Sequence, residues 1–398
     1  MPFTAEELRI RPSPLASHYR RFRVDERLLL TGHSHQAWPD CAFEAQQQAW
    51  LDAAELADLK WERAFAQADL VRQGFRRLLD DPDGLYALAS STHDLLLRFL
   101  SALPLGRRPK LVTTDCEFHT LRRQTDRLAE EGLEIVRVAA FPAESVAERL
   151  TAATCDRTAA VITSTVFFRN AHIAGDMTPV IEACRHVGAA LLLDVYHHLD
   201  ALPISLRRLD MADAFVVGGG YKYCQLGEGN CFLRFPADCQ LRPVITGWFA
   251  EFDELAEHAA HPQVTYAEGN DRFAGATYDP TSHYRAAAVF SFFEQHRLAP
   301  ELLREVSQHQ VGLLRRRFDE LDLDPAVIDR DRSVGLAALG GFLALDSPIA
   351  GTLHEQLREA GVLTDFRGRT LRFGPAPYLT DTQIEDAMRL LGEVARRP

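Results

Sequence analysis

The chain has 398 residues, of which 46% are hydrophobic and 25% are charged, as in an ordinary globular protein with a large core. Its formal net charge is −12 at pH 7 and its basic residues form no block, which argues against a nucleic-acid partner. The sequence has no leader-like start and no apolar run of membrane-spanning length, so we expect a cytoplasmic protein with no membrane partner. Seven scattered cysteines without a C-x-x-C pair indicate neither a disulfide framework nor a metal site.

The length favours two domains, and the pattern suggests where they divide. Residues 1–50 are irregular and then helical, and this segment is expected to pack on either domain. Residues 51–285 are predicted to form a large α/β domain, and residues 286–398 a smaller α+β domain.

Between about residues 84 and 235, short apolar runs alternate with helical patterns. Buried strands separated by helices are typical of a mostly parallel sheet covered on both faces. The predicted strands are GLYALA, KLVTT, AAVITST, AALLLDV, DAFVVGG and NCFLRF, and the intervening helices include STHDLLLRFLSAL, HTLRRQTDRLAEEG and MTPVIEACRHVG. Ligands of such sheets bind at the carboxyl ends of the strands.

After Pro280 long helical patterns take over. Two helices are followed by the short strand GGFLALD, a helix, the strand TLRFG and a final helix. This order indicates the smaller α+β domain.

One lysine stands out because lysine is rare in this chain. Of 44 basic residues only Lys60, Lys110 and Lys222 are lysines. Lys222 follows the predicted strand DAFVVGG among glycines, which allow a ligand to approach the backbone closely. A solvated surface lysine is the ordinary alternative, but the position favours a Schiff-base amine for a carbonyl cofactor.

Asp194 ends the neighbouring predicted strand AALLLDV, where a buried carboxylate requires a partner. A helix cap or a surface turn would also explain it. Together, a carboxylate and an amine at adjacent strand ends fit the pyridine nitrogen and the aldehyde of pyridoxal phosphate.

A phosphate group requires a third site. Ser90, Ser91 and Thr92 open a predicted helix whose free N–H groups and positive dipole end suit an anion, although these residues taken alone favour a plain helix cap. Thr277 is a further hydroxyl beside glycine, and Phe118, after KLVTTD, is placed to stack on a planar ring or to fill the core.

Several segments resemble the kynureninase-like branch of the class V aminotransferases, which are fold-type I pyridoxal phosphate enzymes. They are LLLDVYHHLDALPISL, DAFVVGGGYKYCQLGEGNCFL, ITGWFAEF, RFAGATYDP and VLTDFRGRTLRFGPAPYL. The resemblance implies that Lys222 holds the cofactor aldehyde, Asp194 pairs with the pyridine nitrogen and His197 helps to place the ring. It also implies that Phe118 stacks on the ring, that Arg372 binds the substrate α-carboxylate, and that the phosphate is held by Ser91, Thr92, Tyr221, Trp248 and Thr277.

The resemblance further implies a homodimer with shared active sites and hydrolysis of a Cβ–Cγ bond, as in kynurenine, with Tyr221 as a proton donor. The chain departs from the family pattern on the substrate side. A Thr31-Gly32-His33-Ser34-His35 loop replaces a G-N-S-L-G type loop, His119 follows Phe118, and Tyr196 replaces a small residue. We expect His33, Ser34, His35 and Tyr196 to line a different substrate pocket.

Three alternatives remain open at the level of sequence. A class V aminotransferase or a β-lyase would use the same Asp, Lys and Arg, and a catalytically silent protein could retain the cofactor. A desulfurase is disfavoured because the last cysteine is Cys239, and a nucleotide-binding enzyme because no phosphate-loop motif is present.

Overall fold

The computed structural model describes residues 3–254 and 263–396. The described part of the chain contains ten α-helices, numbered in chain order: α1 (Asp40–Leu56), α2 (Lys60–Leu79), α3 (Thr92–Ala102), α4 (His119–Glu130), α5 (Val146–Ala153), α6 (Thr178–Val187), α7 (Thr281–Gln295), α8 (Pro300–Glu320), α9 (Ala350–Glu359) and α10 (Asp381–Ala395).

The strands are β1 (Leu28–Leu29), β2 (Leu85–Ala89), β3 (Lys110–Thr114), β4 (Glu134–Val138), β5 (Thr158–Ser164), β6 (Ala190–Asp194), β7 (Phe215–Gly219), β8 (Cys231–Phe235), β9 (Asp329–Arg330), β10 (Leu343–Asp346), β11 (Val362–Leu363), β12 (Asp365–Arg367) and β13 (Thr370–Phe373).

A seven-stranded sheet in the order β2-β8-β7-β6-β5-β3-β4 forms the centre of the molecule. Its strands are parallel except β8, which runs antiparallel to both β2 and β7. Strands β5, β7 and β8 are buried along their whole length, because helices or loops cover both faces. The mostly parallel α/β sheet and its six predicted strands are confirmed.

Helices and their caps follow from local sequence. Ser91 caps α3, its hydroxyl accepting a hydrogen bond from the Asp94 amide. Helix α6 ends at Gly188, whose φ of 67° lies in the left-handed region that glycine adopts without steric cost. These two caps mark where α3 begins and where α6 ends.

The C-terminal part is built on a four-stranded antiparallel sheet in the order β12-β13-β10-β9, packed by α8, α9 and α10. Thr380 and Gln383 form a reciprocal capping box at the start of α10. Helix α7 instead packs on α1 and α2. The domain boundary near residue 285 stays a prediction.

The N-terminal segment touches both parts of the molecule. Strand β1 pairs in parallel with β11, and Thr31 bridges to Gly374, so this segment extends the C-terminal part. The Tyr19 hydroxyl also donates to Gln225 Oε1 at 2.5 Å in the loop after Lys222. Within the described ranges, no helix has the length and apolarity that crossing a membrane requires.

Candidate active site

Lys222 lies just past the end of β7, where its side chain is buried. Its Nζ is 2.8 Å from His197 Nε2. Burial lowers the pKa of the Lys222 amine to about 7, and burial also holds the pKa of His197 well below its usual value. About half of the amine is therefore in the neutral, nucleophilic form near pH 7.

Asp194 is the last residue of β6, the strand next to β7 in the sheet. The two strands run parallel and pair Asp194 with Val217, so Lys222 and Asp194 share one sheet edge. Asp194 Oδ1 accepts the Tyr196 amide at 2.9 Å. Burial raises the pKa of Asp194, while the charge on Lys222 favours its ionised form.

A second buried acid, Glu117, lies behind Asp194 and was not identified from sequence. It accepts the Thr114 hydroxyl at 2.6 Å and the Ser164 hydroxyl at 2.6 Å. Ser164 is the β5 residue paired with Asp194. Burial raises the pKa of Glu117 to about 7. A glutamate directly after a buried strand was the only sequence signal for this residue.

Three aromatic rings surround the lysine amine. Lys222 Nζ lies 4.4 Å from the centroid of the Tyr196 ring, 5.5 Å from that of Phe118 and 5.7 Å from that of Tyr221. No ring contact joins Phe118 to Tyr196 in the described parts of the chain. The amine is thus held in an aromatic pocket with Phe118 and Tyr196 at two sides.

The glycines before Lys222 have a different role from the one expected. A Cβ on Gly219 would lie 2.5 Å from the Tyr196 hydroxyl and 2.6 Å from Cys231 Sγ, and a Cβ on Gly220 would meet Leu226. Protein side chains, rather than a ligand, occupy the space beside these two glycines. The bulky Tyr196 is accommodated because residue 219 has no side chain.

At the start of α3, where an anion site is predicted, the Ser90 and Ser91 hydroxyls already form hydrogen bonds within the protein. Ser91 Oγ donates to Asp94 Oδ2 at 2.9 Å, and Ser90 Oγ donates to the same oxygen at 3.0 Å. Thr92 is the first residue of the helix. Ser91 is therefore a helix cap, as the capping interpretation predicts. The N-terminus of α3 lies at the same end of the sheet as Lys222, because α3 follows β2 and β2 runs parallel to β7.

Trp248 and Thr277 lie in two segments that approach this helix start. The two segments are joined by a hydrogen bond from the Phe249 amide to the Gly275 carbonyl at 3.0 Å. Their neighbours Phe249, Ala276 and Tyr278 border a cavity of about 320 Å³ that also reaches Ser90 and Asp94. Trp248 packs in a tilted arrangement against Phe249 and Phe252, and Thr277 is exposed. Neither side chain contacts Lys222 in the structure of this single chain.

Arg372 lies on β13, where its side chain is only 4% exposed. Asp365, directly opposite on β12, accepts hydrogen bonds from Arg372 Nε at 2.9 Å and from Nη2. Nη1 donates to the Phe168 carbonyl at 2.7 Å. These bonds use three of the five guanidinium N–H groups and leave one on each terminal nitrogen, which is a fork for a carboxylate.

Asp365 was not identified from sequence, although it lies in the quoted segment VLTDFRGRTLRFG. The charge and the hydrogen bonds of the Arg372 guanidinium hold the pKa of Asp365 below its usual range in spite of burial. The sequence feature that could have identified Asp365 is a short hairpin around Gly368, which places residues 365 and 372 opposite each other.

The loop of His33, Ser34 and His35 borders the same region. His33 is fully buried, neither ring nitrogen has a hydrogen-bond partner in the described part of the chain, and burial lowers its pKa to about 4. Its Nε2 is 3.9 Å from Asp365 Oδ1, too long for a hydrogen bond. His35 stacks on Tyr221 with centroids 4.8 Å apart and lies 3.1 Å from Ser34 Oγ. His119 is exposed beside Phe118.

The residues present fit pyridoxal phosphate. A buried neutral amine suits an aldehyde, a carboxylate on the adjacent strand suits a ring nitrogen, and a helix N-terminus suits a phosphate. Among the described residues, no group of histidine, cysteine or acidic side chains has the arrangement of a metal site.

Comparison with curated proteins supports this interpretation, although no family model matches the chain. The chain is 26% identical over 409 aligned positions to a kynureninase of Burkholderia pseudomallei strain 1106a, covering 96% of this chain and 93% of the relative. It is 27% identical over 214 positions to a kynureninase of Xanthomonas axonopodis pv. citri, covering 51% and 48% respectively.

Solved structures share the fold at lower identity. A complex of the cystine C-S lyase C-DES with cysteine persulfide aligns with a TM-score of 0.78 at 16% identity, over 93% of this chain and 98% of the other. The apo cysteine desulfurase of Thermococcus onnurineus NA1 aligns with a TM-score of 0.76 at 15% identity, over 94% and 95%. The chain therefore resembles kynureninases in sequence and has the fold-type I architecture of these solved structures.

Proposed function

We propose that this protein is a pyridoxal phosphate enzyme that hydrolyses the Cβ–Cγ bond of an amino acid carrying a γ-carbonyl, such as kynurenine or an analogue. The observation that carries the proposal is the buried Lys222 amine on the same sheet edge as Asp194, between Phe118 and Tyr196. The kynureninases matched along nearly the whole chain support the substrate class.

In this proposal Lys222 holds the cofactor covalently, Asp194 pairs with the ring nitrogen, and His197 and Phe118 fix the ring. Ser91, Thr92, Tyr221, Trp248 and Thr277 hold the phosphate. The bound cofactor supplies an electron sink for the substrate α-carbon.

Side chains of the protein itself bind the substrate and transfer its protons. Arg372 binds the substrate α-carboxylate through its two remaining N–H groups, and Asp365 keeps the guanidinium in place. The Lys222 amine, once the substrate amine has displaced it, takes the α-proton, and its pKa of about 7 leaves a neutral fraction to act as the base near pH 7. Burial raises the pKa of Tyr221 to about 12, so its hydroxyl stays protonated and serves as a proton donor. His33, Ser34, His35 and Tyr196 line the substrate side.

Product analysis with the purified holoprotein tests the proposal. Incubation with kynurenine or 3-hydroxykynurenine should release alanine and the corresponding anthranilate. Lys222→Ala should lose both the product and the visible absorbance of the covalently bound cofactor, whereas Lys110→Ala, at a lysine remote from the site, should keep both. A 2-oxo acid product would indicate an aminotransferase, and pyruvate from a β-substituted alanine would indicate a β-lyase. Bound cofactor without any product would leave a silent binding protein.

We also propose a homodimer in which Trp248 and Thr277 serve the site of the partner subunit. The support is their separation from Lys222 within one chain and the apolar surface that includes Trp50, 80% exposed, and Leu51 and Leu59. Mixing inactive Lys222→Ala and Thr277→Ala subunits should restore part of the activity, because one site of each hybrid is intact. Hybrids that stay inactive would contradict shared sites. The cytoplasmic location remains a prediction.

A further inference from the structure

A small cavity lies between the turn that follows Lys222 and helix α8. Its polar walls include Asp200 from the turn after β6, Tyr223, and Ser307 and Gln310 from α8. Its volume is about 20 Å³, which is room for a single particle of the size of a water molecule. The proposed chemistry does not use any of these four side chains.

Several polar atoms around this cavity lack a strong partner among the described residues. Asp200 is only 5% exposed, and its carboxylate has no hydrogen bond there except a contact with the neutral Cys224 thiol, which is a weak donor. The Tyr223 and Ser307 hydroxyl oxygens are also buried without a partner in the described ranges. Gln310 uses its amide nitrogen on the Ala376 and Leu379 carbonyls, both at 2.9 Å, and Gln36, also in the wall, accepts from Gln225 Nε2 at 2.8 Å. The buried wall atoms left without a partner are all oxygens.

The charge of the cavity is also uncompensated. No lysine, arginine or histidine lines it, and the polar group that influences the pKa of Asp200 is the neutral Cys224 thiol. Burial raises the pKa of Asp200 to about 7. A buried carboxylate either becomes protonated or binds a positive charge. Above pH 7, a neutral water molecule would satisfy the hydroxyls but leave the charge unbalanced.

We propose that the cavity lined by Asp200, Tyr223, Ser307 and Gln310 binds one monovalent cation of about the size of a water molecule, such as K⁺. Hard cations take carboxylate, hydroxyl and carbonyl oxygens as ligands, which is the set present here. The site lies outside the proposed reaction centre and does not depend on the substrate class. Bound there, the cation joins α8 to the turn next to Lys222 and so stabilises the contact between the two parts of the molecule.

Thermal unfolding of the holoprotein tests the site without reference to activity. Measured well above pH 7, where Asp200 is ionised, KCl should raise the unfolding midpoint by about 2–4 °C over choline chloride at equal ionic strength. Asp200→Asn should abolish this difference. The matched control Asp238→Asn, at an exposed carboxylate, should retain it. Equal midpoints in the two salts, or an unchanged K⁺ response in Asp200→Asn, would overturn the proposal.

A second measurement stands even if Asp200→Asn fails to fold. Crystals of the wild-type holoprotein grown or soaked in RbCl should show an anomalous peak in the cavity, within coordination distance of Asp200. An ordered water at this position with no anomalous signal would show that the cavity is a hydration site, and the cation proposal would be wrong.

Discussion

At the scale of single residues, the lysine amine is defined by its enclosure rather than by a charged partner. Its nearest polar neighbour is the His197 ring, whose own pKa is depressed by burial. With a pKa of about 7, a substantial fraction of the amine is neutral, so it can react with an aldehyde near pH 7.

The depressed pKa of Lys222 has a measurable effect on the stability of the cofactor-free protein. In the folded state the pKa falls from 10.5 to about 7, so between these values the unfolded chain binds more protons. The free energy of unfolding contributed by this group therefore rises with pH across that window. Replacement by methionine should stabilise the protein near pH 7, and this advantage should shrink by about 2–4 kcal/mol towards pH 10. Urea unfolding of both proteins at the two pH values measures it, and a constant difference would contradict the burial argument.

Asp365 offers a second prediction at this scale, because it fixes the Arg372 guanidinium through Nε and Nη2. Asp365→Ala should raise KM for the amino acid by about 10-fold or more with a smaller effect on kcat, since binding of the carboxylate loses its orientation. The free energy of unfolding should fall by about 3–5 kcal/mol because a buried guanidinium loses its counter-charge.

A matched control lies on the neighbouring hairpin strands. Asp346 pairs with Arg369 at 2.7 Å on the surface, where both side chains are about three-fifths exposed. Asp346→Ala should cost less than about 1 kcal/mol and leave KM unchanged. Similar losses in both variants would show that Asp365 has no special role in holding Arg372.

The sequence allowed Lys222 and Asp194 to be placed together because both end apolar strands, and strand ends of a parallel sheet meet at one edge. Glu117 and Asp365 could not be placed in this way. Each acts through partners set by tertiary register, namely Ser164 on β5 for Glu117 and Arg372 on β13 for Asp365. Pairing across strands depends on register, which composition does not encode.

At the scale of secondary-structure elements, the backbone at the end of β7 packs closely against Tyr196, which lies two residues beyond the end of β6. Gly219→Ala would place a methyl group 2.5 Å from the Tyr196 hydroxyl. We expect a loss of about 1–3 kcal/mol in the free energy of unfolding. Gly106→Ala, where nothing lies within 4 Å, should be nearly neutral.

A double mutant isolates the cause. Tyr196→Phe removes the hydroxyl, so the cost of Gly219→Ala should be smaller in the Tyr196→Phe background than in the wild type. An unchanged cost would assign the strain to the contacts that remain in this background, with Cys231 Sγ at 2.6 Å and the ring carbon Cζ of residue 196 at 2.7 Å from the methyl position.

Strand β8 carries a buried ion pair that the apolar strand pattern did not reveal. Arg234 donates hydrogen bonds to the Asp81 carboxylate from Nε at 2.7 Å and from Nη2 at 2.9 Å, and both side chains are buried. Asp81→Ala should lower the free energy of unfolding by about 3–5 kcal/mol, whereas the exposed neighbour Asp83→Ala should change it little. Guanidinium denaturation curves of the two variants provide the comparison.

Six strands of the central sheet were predictable because each is a short apolar run between turn signals. Strand β4 was not identified. Its sequence EIVRV carries charges and lies half-buried at the edge of the sheet, so its composition resembles that of an exposed segment. Edge strands typically lack the apolar pattern on which such predictions rest.

At the scale of the whole molecule, the alternation of strands and helices was enough to predict a parallel α/β sheet. The antiparallel direction of β8 was not predicted, although the short connection from Gly219 to Cys231 leaves no room for a crossover helix. The order of the strands could not be derived, because it depends on which crossovers pass over which neighbours.

The pairing of Leu28–Leu29 with Val362–Leu363 also has a consequence for how the protein is made. Chains emerge from the ribosome with the N-terminus first, and domains begin to fold as they emerge. The β1 segment must therefore wait until nearly the entire polypeptide has been translated before it finds its partner. His33 follows directly after that segment, so the pocket beside Arg372 closes only after translation is almost complete, and nascent chains lack a finished binding site.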